Sequence, residues 1–219
     1  MSDAVRNILL VDDHAIVCEG YRALLHKQPN LRVVATAADG QTAYLLYKQH
    51  QPDLVIIDLA MPGMGGIETV RRIRAWDPAA RLLVLTMHQG ASFALQAFRA
   101  GARGYVTKSS PPDILVRAVF EVLAGKTALS ADIGQALALN RLGETRAAAD
   151  LLSPREFEIL RLLLTGLSSD QIAETLHVSA KTVANTRTLI KGKLGVASDI
   201  DLVRLALEQG LIAGVPLTT

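Results

Sequence analysis

Two adjacent carboxylates, Asp12-Asp13, a third at Asp58, a hydroxyl at Thr86 and an ammonium at Lys108 are spread through the first half of the chain. Each closes or follows a short apolar run. Three carboxylates gathered in one crevice repel one another unless a cation sits among them. Hard oxygen donors in an incomplete cage suit Mg2+, which keeps part of its water shell and takes phosphate oxygens. A hydroxyl and an ammonium alongside are good phosphate partners. Phosphoryl transfer needs an in-line nucleophile and neutralised equatorial oxygens, and a carboxylate beside Mg2+ and lysine supplies both. Taken singly, each residue has a plainer reading: Asp12-Asp13 as caps on a following helix, Lys108 as a solvated surface charge. Their shared placement at strand ends is what points to chemistry.

The elements that would bring them together are legible in the same stretch. Apolar runs at 8–11, 33–37, 54–57, 82–85 and 105–106 are short and almost wholly hydrophobic, as strands buried on both faces of a parallel sheet should be. Helix-sized amphipathic segments lie between and after them, at about 15–28, 39–50, 66–76, 91–100 and 111–124. Five βα units in succession predict a doubly wound α/β sheet, whose carboxyl edge gathers ligands. Residues 1–125 form this first domain. Residues 126–150 are Ala-rich and polar, with Gly134 and Gly143 inside them and Gly125 just before. They read as a linker containing some helix and no strand.

From Leu151 to the end at 219 every signal is helical. Ser153-Pro154-Arg155-Glu156 is a capping box with proline at the first helical position, and Gly166 can close that helix. Ser168 and Gln171 form a second capping box, for a helix reaching about Leu176. Ser179 caps a third, which Gly195 stops after Leu194, and Ser198 or Asp199 opens a fourth ending near Gly210. Four short helices predict an all-α bundle. Within it, residues 175–198 lack Asp and Glu yet carry Lys181, Arg187, Lys191 and Lys193. That local excess is what phosphate contact requires of a domain whose acidic and basic residues otherwise balance. Val183, Ile190 and Leu194 share a core-facing stripe. Ala184, Arg187, Thr188 and Lys191 share another face, with Asn185 alongside; small, polar and basic residues interleaved in this way let a helix enter a major groove. The plain alternative is a solvated basic face, with Lys193 serving the helix C-terminus.

Composition agrees with a two-domain soluble protein. Of 219 residues, 50% are hydrophobic and 20% charged, enough apolar material for real cores. One cysteine, Cys18, excludes an internal disulfide and fits a reducing cytoplasm. The first residues lack a secretory signal pattern, and no apolar run approaches the ~20 residues that span a bilayer. The five histidines are scattered without the spacing of a zinc site.

The motifs Val11-Asp12-Asp13-His14, Ile57-Asp58-Leu-Ala-Met61-Pro62-Gly-Met-Gly-Gly66, Leu85-Thr86 and Gly104-Tyr105-Val-Thr-Lys108 resemble those of receiver domains in two-component response regulators. Leu152-Ser-Pro-Arg-Glu156, Gly166-Leu-Ser-Ser, Gln171-Ile-Ala, Val178-Ser-Ala-Lys181-Thr182-Val183 and Lys193-Leu194-Gly195-Val196 resemble the LuxR-type helix-turn-helix. Together they are similar to the NarL/FixJ type. The resemblance implies a flavodoxin-like (βα)5 receiver and a four-helix DNA-binding domain. It also implies that Asp58 is the phosphoacceptor, that Asp13, Asp58 and the Ala60 carbonyl bind Mg2+ with Asp12 acting through water, and that Lys108 and Thr86 contact the phosphoryl group. Thr86 and Tyr105 would be the switch pair, although Tyr105 is equally readable as a core tyrosine.

In the second domain, the resemblance makes 169–176 the scaffold helix and 180–194 the recognition helix. Asn185 and Thr188 would meet bases with Ala184 at the groove floor, while Lys181, Thr182, Arg187 and Lys191 hold phosphates. The implied partners are double-stranded promoter DNA, a sensor histidine kinase, RNA polymerase and a second copy of the chain in a homodimer, with no membrane involved. A receiver that covers the recognition helix, or one that withholds dimerisation, would supply the resting state. Two departures stand out: Ser109-Ser110 where receivers often place proline after the lysine, and Thr186 where histidine or tyrosine is common. Two rival readings are a receiver-linked protein-interaction module and a Mg2+-dependent phosphohydrolase. The latter wants a second carboxylate two residues past its nucleophile, where this chain has Ala60.

Overall fold

The computed structural model describes residues 4–142 and 148–208. In the first domain β1 (Arg6–Val11), α1 (Ala15–His26), β2 (Leu31–Ala37), α2 (Gly40–His50), β3 (Leu54–Ile57), α3 (Gly66–Trp76), β4 (Leu82–Thr86), α4 (Ala91–Ala100), β5 (Gly104–Thr107) and α5 (Pro112–Leu123) follow in order. The strands form one parallel sheet, ordered β2-β1-β3-β4-β5, the doubly wound arrangement that the alternating pattern predicts. Side chains alternate across it. Leu9, Val11, Val55, Ile57, Leu82, Val84 and Tyr105 pack on one face against α2, α3 and α4. Ile8, Leu10, Leu54, Ile56, Leu83, Leu85 and Val106 pack on the other against α1 and α5. Both faces are dry, which is why the strands read as unbroken apolar runs.

The expected linker needs correction. Ala128–Leu129 forms β6, a sixth parallel strand beside β5, and α6 (Ala131–Leu142) follows it. Ile133 is fully buried, and Asp132 accepts a 2.8 Å hydrogen bond from Thr107 Oγ1, so this segment is built onto the first domain. Two strand residues are too few to show a period, which hides β6 from sequence reading.

A short 3-10 turn at Ala148–Leu151 leads to the helical domain: α7 (Pro154–Leu164), α8 (Ser169–Leu176), α9 (Ala180–Leu194) and α10 (Asp199–Glu208). Both predicted capping boxes form, Ser153 with Glu156 and Ser168 with Gln171, and the Ser179 side chain caps α9. At α10, Ser198 accepts from Asp201 N–H while the Asp201 carboxylate accepts from Ser198 N–H. Gly166 and Gly195 sit at positive φ, the left-handed stops that end α7 and α9. The expected end of the fourth helix near Gly210 lies outside the described residues. Among the described residues, no helix is long and apolar enough to cross a membrane.

The two domains share one hydrophobic cluster, which runs from the α3–α4 side of the sheet into α7, α8 and α9. Its seam is aromatic: Phe93 of α4 meets Phe157 of α7 edge to face, with centroids 5.2 Å apart. Polar ties flank it, from Gln96 Nε2 to the Leu152 carbonyl at 2.9 Å and from Arg99 to the Asp150 carbonyl at 2.5 Å. Docking therefore uses α7. The expectation that the first domain covers the recognition helix is overturned for this arrangement: Lys181, Thr182, Ala184, Asn185 and Thr188 on α9 all remain exposed.

Candidate functional site: an acidic pocket and an exposed recognition helix

Parallel pairing of β1, β3, β4 and β5 ends those strands side by side, and their carboxyl edge gathers the predicted polar residues. Backbone bonds fix the edge: Asp58 N–H donates to the Val11 carbonyl at 2.8 Å, and Lys108 N–H to that of Thr86 at 2.8 Å. Lys108 Nζ then lies 2.5 Å from Asp58 Oδ2 and 2.6 Å from Asp12 Oδ2, joining two carboxylates that are 3% and 7% exposed. Burial works against the lysine's charge, but its hydrogen bonds to Asp12 and Asp58 outweigh that, so its pKa lies above the ordinary value. The departure at Ser109-Ser110 leaves this reach intact. The other Asp58 oxygen accepts from Ala60 N–H at 3.2 Å.

Asp12 is thus the lysine's second carboxylate partner, beside Asp58. Asp13 pairs with His14, whose Nδ1 lies 2.9 Å from Asp13 Oδ1 and 3.3 Å from Asp12 Oδ1. One ligand atom from each of Asp12, Asp13 and His14 can lie within 4.8 Å of the others.

Thr86 and Tyr105 are both fully buried. Their connection runs through His88 of the loop after β4. His88 N–H donates to Thr86 Oγ1 at 3.4 Å, and the Tyr105 hydroxyl donates to the His88 carbonyl at 2.8 Å. Burial pushes the Tyr105 phenol up, with the charges of Asp58 and Asp132 adding to it, so it stays a donor. The His88 ring stacks on Phe93 at 4.0 Å and 7°, so Thr86, His88, Phe93 and Phe157 form a continuous path into the second domain. Burial lowers the His88 pKa; Arg161 from α7 adds to that and Asp58 opposes it.

On α9 the core stripe is as predicted, with Val183 and Ile190 fully buried. The basic patch is more neutral than its local composition suggests. Arg187 Nε donates to Asp199 Oδ1 at 3.0 Å and a second guanidinium nitrogen reaches the other oxygen, while Lys191 Nζ lies 3.6 Å from Asp199. Lys193 is bound to Glu156 at 2.7 Å, inside the α7 capping box. Asp199 stands one residue beyond the acid-free window, and Glu156 reaches in from another helix. Of the four charges, only Lys181 has no ion pair among the described residues.

Residues 8–120 match the response regulator receiver domain, and 150–206 match the bacterial regulatory proteins of the luxR family. The chain belongs to the response regulators. The oxygen regulatory protein NreC of Staphylococcus carnosus is 38% identical over 213 residues, covering 94% of this chain and 98% of NreC. A LuxR-family two-component response regulator from Aurantimonas is 56% identical over 64% of this chain and 100% of its own, with a TM-score of 0.63. RcsB of Salmonella enterica, solved on the rprA promoter with a phosphomimetic, is 27% identical over 92% of this response regulator and 98% of its own chain, with a TM-score of 0.74. As a response regulator of this kind, the protein joins a receiver to a LuxR-type DNA-binding domain and is not a turnover enzyme. The phosphohydrolase reading falls with that, and position 60 offers a backbone N–H to Asp58 in place of a carboxylate.

Proposed function

We propose that Asp58 accepts a phosphoryl group from a sensor histidine kinase and that this modification controls binding of α9 to promoter DNA. The observation that carries the reading is Lys108 Nζ held between Asp58 and Asp12 at the carboxyl edge of the sheet. A lysine already aimed at the nucleophile needs little rearrangement to pair with an incoming phosphoryl oxygen. Asp58 supplies the attacking oxygen: its bond to phosphorus forms as the donor's breaks, and water later reverses the modification. Thr86 gives its hydroxyl to the phosphoryl group, and Tyr105 follows through their shared contact with His88.

The donor set fits Mg2+: carboxylates of Asp12, Asp13 and Asp58, two of them buried, offer hard oxygens beside the reaction centre, and the Ala60 carbonyl completes the group. Bound there, the ion neutralises charge on the transferring phosphoryl group.

Residues 1–125, extended by β6 and α6, act as the receiver, and 151–219 act as the DNA-binding domain. On α9, Asn185 and Thr188 read bases beside Ala184, and Lys181, Thr182, Arg187 and Lys191 hold phosphates. A homodimer reads two half-sites about one helical turn (~10 bp) apart and acts on RNA polymerase in the cytoplasm. The test is intact mass and promoter affinity after acetyl phosphate and Mg2+. The native chain should gain one phosphoryl group and bind more tightly, and Asp58→Ala should do neither. Equal labelling of both chains, or labelling without a change in affinity, overturns the reading.

A further inference from the structure

Helix α3 starts directly behind the loop that follows Asp58, and its N-cap, Gly65, has no side chain to cap with. The third residue of the helix is Glu68, which in a capping box would reach back to the N-cap N–H. Here it does not. The Glu68 carboxylate is bound by Arg71 at 2.7 and 2.8 Å and lies 2.8 Å from Arg155 of α7. Gly65 N–H donates instead to Glu158 Oε1 of α7, at 3.1 Å. Glu158 is fully buried, and its charge is met by Arg161 Nε at 3.0 Å and Nη2 at 2.7 Å. Arg161 Nη2 also donates to the Gly63 carbonyl at 3.3 Å. Each domain's carboxylate thus serves the other domain's helix.

We propose that Glu158 is a positioning residue for the phosphoacceptor site: it supplies, from the DNA-binding domain, the arm missing from the α3 capping box, and so fixes the loop of residues 59–65 behind Asp58. The inference rests on the reading of Asp58 as phosphoacceptor. The first half of that loop is tied within the receiver, by Ala60 N–H on Asp58 and by Gly66 N–H on the Leu59 carbonyl at 3.2 Å. At Gly63 and Gly65 the ties run to α7. A buried anion at a helix N-terminus gains from the exposed N–H groups there and is costly to leave unpaired, so the contact has a defined geometry. Gly65 suits it for want of a Cβ: one placed there would stand 2.7 Å from Arg161 Nη2 and 2.8 Å from Glu158 Oε1. Its φ of −71° is open to any residue, so Gly65→Ala would displace the Glu158–Arg161 pair without straining the backbone.

The test is amide hydrogen exchange on the full-length, metal-free chain with Glu158→Ala, Glu158→Gln and Gly65→Ala. Glu158→Ala and Gly65→Ala should speed exchange of residues 59–68 by about tenfold, the scale of a lost bond to a buried charge, while β1 and β3 keep their protection. Glu158→Gln, which retains an acceptor oxygen for Gly65 N–H, should keep most of the protection. As a second readout, the Mg2+ concentration for half-maximal labelling by acetyl phosphate should rise several-fold in the two disrupting variants, with the maximal rate little changed. Unchanged exchange of 59–68 in Gly65→Ala, or a Gln variant as fast as the Ala variant, overturns the proposal. Should Glu158→Ala also expose β1 and β3, Gly65→Ala decides. Absence of labelling in the native chain sinks the Asp58 assignment, whereas normal labelling with unchanged loop exchange sinks the role of Glu158 alone.

Discussion

The acidic pocket and the recognition helix both carry charge, yet they hold it in opposite ways. In the pocket, Asp12 and Asp58 are buried, and a half-buried Lys108 lies within hydrogen-bond distance of both. On α9 the charges are at the surface, and the nearest partner of Arg187 and Lys191 is Asp199, itself half exposed. A covalent step needs its groups fixed before the substrate arrives, since reorganising charge during the reaction is costly. A surface that receives a polyanion needs the reverse, because exposed ion pairs contribute only about 0–1 kcal/mol and a phosphate can displace the carboxylate. The same residue types therefore serve chemistry or recognition according to burial.

That contrast is open to direct tests. Lys108→Ala leaves two buried carboxylates without their shared cation and should lower stability by about 3 kcal/mol in denaturant unfolding of the metal-free chain. Lys181→Ala on α9 should stay within about 0.5 kcal/mol of the native chain. Comparable losses would mean that burial is not what separates the two sites. Asn185→Ala should leave the unfolding midpoint unchanged while weakening binding to the preferred operator by about 1–3 kcal/mol, measured by titration against a scrambled duplex. An equal loss on both duplexes would move Asn185 from base reading to backbone contact.

Asp199→Asn removes the carboxylate that neutralises Arg187 and Lys191. DNA affinity should rise by less than about 1 kcal/mol and fall more steeply with salt; a shallower salt slope would show that Asp199 orders the two cations. The smallest expected effect concerns His88, at the join between the regions. Burial and Arg161 hold its pKa below the ordinary histidine value, so the folded chain binds fewer protons than the unfolded one. Stability from this residue is therefore complete above about pH 6.5 and declines as the pH falls below it. His88→Phe keeps the ring on Phe93 and should flatten that part of the profile of thermal midpoint against pH; an identical slope in both chains would assign the dependence to other groups.

What was legible along the chain was whatever depends on near neighbours. The five βα units showed because strands dry on both faces leave apolar runs. The helix starts at Ser153, Ser168 and Ser179 showed because a cap and its third residue are close in sequence. Asp12, Asp58, Thr86 and Lys108 were predictable as a set because a parallel sheet brings its strand ends to one edge. The two-residue β6 was not visible, since it is shorter than any period.

The sequence by itself determined the two folds, the strand-end pocket and the face of α9 that is left to solvent, because propensity, capping and hydrophobic period are local. Tertiary structure alone decided that Lys108 bridges Asp12 rather than Asp13, that Asp199 and Glu156 neutralise three of the basic residues, and that Glu158 caps a helix of the other domain. Each of those contacts joins residues that the chain brings together only after folding, where distance and burial set which of several available charges becomes the partner.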